Sequence, residues 1–97
     1  MSLKPGESAV NENLAELLRQ KCNEPKLHVM DITPSSGCVE IDLQLNHSEY
    51  SFTPLGTIIV LLGDGWSLPP GKSVFDFIHD IANAFPCDEL RRRISKN

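Results

Sequence analysis

The side chains able to perform acid–base chemistry in this 97-residue chain are few and widely spaced. His28 is expected to face Asp42 across a hairpin, and His79 stands beside Asp80. A general base also needs a nucleophile, an orienting group and a cleft that excludes water. The predicted sheet face around His28 is open, and His79 falls on a solvent-facing helical arc. We therefore expect no catalytic site and a protein that is not an enzyme.

Four side chains are candidate metal ligands, namely Cys22, His28, Cys38 and His47. They are separated by six, ten and nine residues, spacings that match no recurrent zinc pattern. Cys22 instead completes the apolar stripe of a predicted helix, and Cys38 is typical of a small apolar strand residue. We expect no metal and no other cofactor.

The number and spacing of the cysteines also indicate the cellular compartment of the protein. Three cysteines are an odd number, and none of them forms a C-x-x-C pair, so no disulfide framework is indicated. Reduced thiols are typical of cytosolic and nuclear proteins. We therefore expect an intracellular protein with three free thiols.

Phosphate binding is not expected at Gly71-Lys72-Ser73, although this triplet leads into a predicted helix and is similar to the end of a phosphate-binding loop. The full motif needs a glycine five residues before Gly71, where the sequence has Trp66. The chain is also too short for the strand–helix–strand frame that such a loop requires. No small-molecule substrate is evident.

The net charge of −4 is unevenly distributed along the chain. The first 90 residues carry 13 acidic and five basic side chains, whereas Arg91, Arg92, Arg93 and Lys96 make the last seven residues basic. Cations near the end of a helix stabilise it through the helix dipole, and three arginines are few for a nucleic-acid surface. An acidic body repels phosphate, so nucleic-acid binding is not expected.

The length predicts a single domain over residues 8–97, with residues 1–7 disordered. The longest strongly apolar run covers residues 58–62, far fewer than the roughly 20 residues needed to cross a bilayer. The first 20 residues are too polar for a signal peptide. We expect no membrane association.

Helical spacing of apolar residues predicts helices over 8–23 and 73–85, and a short helix follows over 88–95. Residues 39–45 alternate strictly between apolar and polar, after the turn residues 34–37, which predicts a hairpin with Ile32 opposite Cys38. Tyr50 and Phe52 are expected to point inwards.

The run over 57–62 is apolar at nearly every position, which is typical of a central strand or one covered on both faces.

This element order predicts an α+β two-layer sandwich with an N-terminal helix, an antiparallel sheet of three or four strands, and a C-terminal helix followed by a short terminal helix. Two amphipathic helices suffice to cover one sheet face. The other face, which half of the 58–62 run shares, is predicted to carry Met30, Ile32, Cys38, Glu40 and Asp42. Its apolar side chains lack a cover within the chain, which indicates an interface.

We therefore expect a protein-interaction module, either a self-associating protein or a small adaptor subunit, that docks through this outer sheet face and a Gly/Pro-rich loop. Trp66 and Leu68 in that loop are either a lid over the core or anchors for a partner. The alternative is a small acidic inhibitor whose Glu40, Asp42 and Glu49 block a basic site on an enzyme.

Overall fold

The computed structural model describes residues 7–35, 37–63 and 74–96. Its elements are α1 (Glu7–Lys21), β1 (Leu27–Ser35), β2 (Cys38–Asn46), β3 (Phe52–Leu61), α2 (Val74–Ala84) and α3 (Cys87–Ser95). The strands form one antiparallel sheet in the order β1-β2-β3. This confirms the predicted α+β fold, with three strands and with the short terminal helix. None of the helices within these ranges combines the length and apolarity that a membrane crossing requires.

The helix α1 buries its apolar stripe as the periodicity predicted. Val10, Leu14 and Leu18 are buried on the side that faces β1 and α2. The helix ends where Asn23 adopts a left-handed φ of 55° and the Glu24 N–H donates to the Arg19 carbonyl oxygen. This is the Schellman arrangement that satisfies the last carbonyl groups of a helix. It turns the chain back towards β1.

The hairpin of β1 and β2 has a different register from the predicted one. Ser35 pairs with Cys38, and Gly37 has a φ of 76° in the tight turn between these strands, so Ile32 pairs with Ile41 rather than with Cys38. The prediction that Ile32 lies opposite Cys38 is therefore wrong, because the turn begins later than residue 34.

A β-bulge at Met30 changes which residues of β1 face the core. Met30 and Asp31 together oppose Asp42 of β2, and both side chains are exposed. Because one extra residue reverses the alternation, Val29 and Ile32 both point inwards, and Ile32 is only 6% exposed. The prediction of an outer-face Ile32 is therefore wrong, and this residue belongs to the core.

The strand β3 lies at the edge of the sheet, so the prediction of a central strand is wrong. Ile58 and Val60 are buried against the helices. Ile59 and Leu61 point the other way and are 56% and 75% exposed. No element among the described residues covers this outer side, so half of the apolar run remains open.

The beginning of β3 also differs from the sequence prediction. A second bulge lies at Leu55, where Gly56 pairs with Leu43 and adopts a φ of 77°. Phe52 is 58% exposed and Tyr50 is 92% exposed. The prediction that these two aromatic side chains point inwards is wrong.

The core lies between the inner sheet face and the three helices. Phe77, Ile78, Ile81 and Phe85 are contributed by α2 and the residue after it, and Leu90 by α3. The ammonium group of Lys21 donates to the main-chain oxygens of Ala82 and Asn83 and so ties α1 to the end of α2. Leu90 is fully buried, and Ile94 of the same helix is partly buried against the core.

Cys22 and Cys87 form a disulfide, with their Cα atoms 5.4 Å apart. The expectation of three reduced thiols is therefore wrong, and Cys38 is the remaining free cysteine. The two residues are 65 positions apart in the sequence. They meet because α1 ends beside the point where α3 begins, a proximity that cysteine spacing alone does not show.

Candidate protein-interaction site

The outer face of the sheet is uncovered among the described residues. Each of four rows across it combines one residue from each strand. The rows are Ser35–Cys38–Leu61, Thr33–Glu40–Ile59, Asp31–Asp42–Thr57 and His28–Gln44–Pro54.

Apolar side chains lie on two sides of this face. Ile59 and Leu61 are neighbours two residues apart on β3, and the partly exposed Cys38 lies beside Leu61. Met30 projects from the bulge at the opposite edge of the sheet and is also exposed. Phe52 extends the apolar surface at the far end of β3. We call these five side chains the outer-face patch.

Carboxylates occupy the middle of the face, between Met30 and the apolar residues of β3. Asp31 lies directly opposite Asp42, and Glu40 is adjacent to Ile59. Asp31 accepts a hydrogen bond from the Ile32 N–H at 3.0 Å. None of the three carboxylates forms an ion pair with another described residue. Within the described ranges, the negative charge at the centre of the face is therefore uncompensated.

The structure brings together four of the residues singled out from the sequence: Met30, Cys38, Glu40 and Asp42 lie on the outer face. Ile32 does not, for the reason given above. Trp66 and Leu68 lie outside the described residues.

Asp31 and Phe52 were not predicted for this face. The bulge that turns Asp31 outwards has no sequence signal, whereas the strand containing Phe52 was visible and only its direction was misassigned.

Helix side chains cap parts of the two sheet edges. On β1, Arg19 Nε donates to the Leu27 carbonyl oxygen at 2.7 Å and Asn11 Nδ2 donates to that of Met30 at 3.3 Å. On β3, Arg93 Nη1 donates to the Leu55 carbonyl oxygen at 3.1 Å. Among the described residues no such cap reaches the segment 57–61.

The C-terminal arginines are paired within α3. Arg91 lies 3.2 Å from Asp88, and Arg92 and Arg93 lie 2.8 and 3.0 Å from the two carboxylate oxygens of Glu89. Hydrogen bonds from Arg93 and then Arg92 hold the pKa of Glu89 below its usual value. These contacts favour the structural role for the basic tail.

The predicted histidine pair is also rearranged, because His28 pairs with Gln44 and not with Asp42. His28 instead lines an open pocket of about 380 Å³ with Asn11 and Glu12. The carboxyl group of Glu12 accepts a hydrogen bond from Arg19, which lowers its pKa, with a smaller contribution from His28. The described residues that line this pocket include no hydroxyl or thiol nucleophile.

The four candidate metal ligands do not converge. Cys22 is bonded to Cys87. In the described part of the chain, no group of three His, Cys, Asp or Glu side chains is arranged to hold a metal ion. A groove of about 190 Å³ between α1 and α2, with Leu17 and Ile78 in its wall, is smaller than a typical small-molecule site.

Comparison with protein-family models, with curated proteins and with solved structures finds no match for this chain.

Proposed function

We propose that this chain is a non-enzymatic protein-interaction module that binds its partner through the outer sheet face. The observation that carries the proposal is the pair Ile59 and Leu61, which lie exposed side by side on a face that no described element covers. Contiguous exposed apolar side chains mark interaction surfaces. The outer-face patch therefore supports a role as an adaptor or a small subunit of an assembly.

The free energy gained by burying the exposed apolar side chains indicates how much of this face a partner must cover. Complete burial of a Leu or Ile side chain contributes about 1.5–3 kcal/mol. With their present exposure, Ile59 and Leu61 offer roughly 2–4 kcal/mol in total. Association costs at least about 4 kcal/mol in lost rigid-body freedom. A stable complex must therefore add further contacts, such as coverage of Met30 or Phe52, a cation paired with the central carboxylates, or backbone hydrogen bonds.

The test compares charge-matched variants of the full chain. Met30→Glu and Cys38→Glu add a negative charge to the outer face, whereas Gln20→Glu adds one to the exposed side of α1. Proteins that co-purify from the native host are quantified by mass spectrometry, and binding to the isolated candidate is measured by calorimetry. We expect one partner to be lost with both outer-face variants and retained with Gln20→Glu. If no partner depends on this face, the proposal is wrong.

The acidic inhibitor is the second candidate function, and the pairing of Asp31 with Asp42 favours it. Like charges directly opposite on adjacent strands destabilise a sheet, which suits a surface selected to meet a basic partner. The acidic cluster consists of Asp31, Glu40 and Asp42, because Glu49 follows β2 rather than lying on the sheet. Reversing Glu40 and Asp42 to lysine then slows association steeply, with a loss that shrinks at high salt.

The intracellular location stays a prediction, and the Cys22–Cys87 disulfide bears on it. Disulfides persist in oxidising compartments and are rare in the cytosol, so the bond argues against the original reason for this location. Alkylation of thiols in intact cells, followed by mass spectrometry, decides the matter. Alkylated Cys22 and Cys87 indicate a reducing compartment, and protected ones indicate an oxidising compartment.

A further inference from the structure

Among residues 7–35, 37–63 and 74–96, nothing pairs with or caps the outer edge of β3 over residues 57–61. The Leu62 N–H donates to the Gly37 carbonyl oxygen at 2.9 Å, and Val60 and Ile58 continue this register with Val39 and Ile41. Backbone groups of alternate residues point to opposite sides of an antiparallel strand. The N–H and C=O groups of Thr57, Ile59 and Leu61 therefore point away from β2, towards the open edge.

In the part of the chain that the structure describes, the segment 57–61 also lacks the features that protect natural sheet edges. Prolines, charged side chains, bulges and covering helices prevent strands from pairing with other chains. In β3 the proline, the bulge and the arginine cap all lie at residues 54–55. The segment 57–61 reads Thr-Ile-Ile-Val-Leu and contains none of them.

We propose that residues 57–61 pair antiparallel with the same residues of a second copy of this chain, about a two-fold axis at Ile59, to form a continuous six-stranded sheet. The proposal rests on the interaction role proposed above, for which a second copy of this chain is one partner. Ile59 then faces Ile59 of the second copy, and Thr57 faces Leu61. These residues carry the outward backbone groups, so each pair exchanges both of its hydrogen bonds.

Self-pairing also fits the side chains on the outer face. The two Ile59 side chains become direct neighbours, and the two Leu61 side chains extend the apolar strip on either side of the axis. A closed two-fold contact of this kind uses the same surface twice and limits the assembly to a dimer. The outer-face patches of both copies then form one larger surface.

The acidic residues do not oppose this arrangement. Glu40 lies one strand behind Ile59, so three strand spacings, about 14 Å, separate the two Glu40 positions across the junction. The Debye length at physiological ionic strength is about 8 Å, so their repulsion is largely screened. At the opposite edge, by contrast, Asp31 and the side-chain caps from α1 disfavour pairing through β1.

The experiment measures the oligomeric state of the 97-residue, disulfide-bonded chain by sedimentation equilibrium from about 1 μM to 1 mM. We expect a concentration-dependent dimer for the wild type. Ile59→Lys and Ile59→Glu each remove the apolar contact between the two Ile59 side chains and place like charges at the axis, so we expect each to weaken the dimer at least about tenfold. Mixing the two variants places Lys opposite Glu and restores the dimer. Gln20→Lys, on the exposed side of α1 and away from the outer face, leaves the dimer unchanged.

Three results overturn the proposal: a monomeric wild type over the whole range, full dimerisation of both single variants, or no recovery on mixing folded variants. Near-ultraviolet circular dichroism verifies that each variant is folded. If a change at Ile59 disturbs the fold, Thr57→Lys takes its place as a variant expected to weaken the dimer. If the wild type is monomeric and a different protein is lost with Met30→Glu and Cys38→Glu, self-pairing is wrong and the proposed binding of another protein stands. A dimer without any such partner contradicts only the proposed heterologous binding role.

Discussion

Arg93 of α3 joins the helix to the edge of the sheet through Leu55, whose carbonyl oxygen accepts a hydrogen bond from Nη1 at 3.1 Å. The same guanidinium bonds to Glu89 through Nε at 3.0 Å, so it is held from both sides. The bulge at Leu55 turns this carbonyl away from β2 and towards the helix. One side chain thus closes the edge of β3 at the point where its regular pairing is interrupted.

Removal of this contact is expected to destabilise the fold. Arg93→Ala deletes a charge-assisted hydrogen bond and leaves the Leu55 carbonyl without its described partner, which costs about 1–2 kcal/mol of unfolding free energy. Urea denaturation measures the loss. Arg91→Ala is the matched control because Arg91 makes an exposed ion pair with Asp88, and it should cost less than about 0.5 kcal/mol. Equal losses in the two variants would contradict this role of Arg93.

The disulfide is expected to make a larger contribution. Cys22 and Cys87 close a loop across 65 residues, for which the chain-entropy relation gives up to about 4 kcal/mol. In a Cys38→Ser background, which prevents thiol exchange, replacing both cysteines by alanine should lower the unfolding free energy by about 2–4 kcal/mol. A dithiol reductant should lower the stability of the parent protein and leave that of the double variant unchanged. If the reductant left the stability of the parent protein unchanged, the disulfide would not be present in solution.

Stability should fall in acid through Glu89. Its pKa is held below the ordinary value of 4.5 by the hydrogen bonds from Arg93 and Arg92, so its contribution is complete above pH 4.5 and is lost as the pH falls through the lower, folded-state pKa. Glu89→Gln should flatten the dependence of the urea midpoint on pH in this window. Glu16→Gln, which removes an exposed carboxylate of α1 with no ion pair among the described residues, is the matched control. A Glu89→Gln profile parallel to the wild type would refute the assignment.

Relief of the like-charge pair should stabilise the sheet. Asp42→Asn removes the charge opposite Asp31, and we expect a gain of about 0.2–1 kcal/mol at neutral pH that shrinks with added salt. Glu40→Gln is the control, because Glu40 faces the uncharged residues Thr33 and Ile59. If Asp42 contacts a basic partner, the same variant binds that partner less tightly although it is more stable. A destabilised Asp42→Asn variant would show that the pair is not repulsive.

The elements that local patterns specify were predictable. The stripe of Leu14 and Leu18, the strict alternation over Val39–Leu45 and the short helix around Leu90 all match the structure, because each pattern reflects which side of a local element is buried. The same patterns led to the α+β class and to an outer face with too little cover. Met30, Cys38, Glu40 and Asp42 of the candidate site were found in this way.

Bulges and strand order were not predictable, since neither depends on local periodicity. One extra residue at Met30 reverses the alternation of β1, which moves Ile32 into the core and Asp31 onto the surface. An apolar strand such as residues 57–61 has the same sequence pattern at the centre of a sheet as at its edge. Its edge position appears only in the pairing of the strands.

By itself, the sequence determined which segments form helices and strands and which of their faces are apolar, because these properties follow from the spacing of neighbouring residues. Only the tertiary structure decided which side of β1 carries Ile32, that Cys22 meets Cys87, and that Ile59 lies on the last strand of the described sheet. Those outcomes depend on contacts between residues far apart in the chain, where a single bulge or the order of three strands changes what each side chain faces.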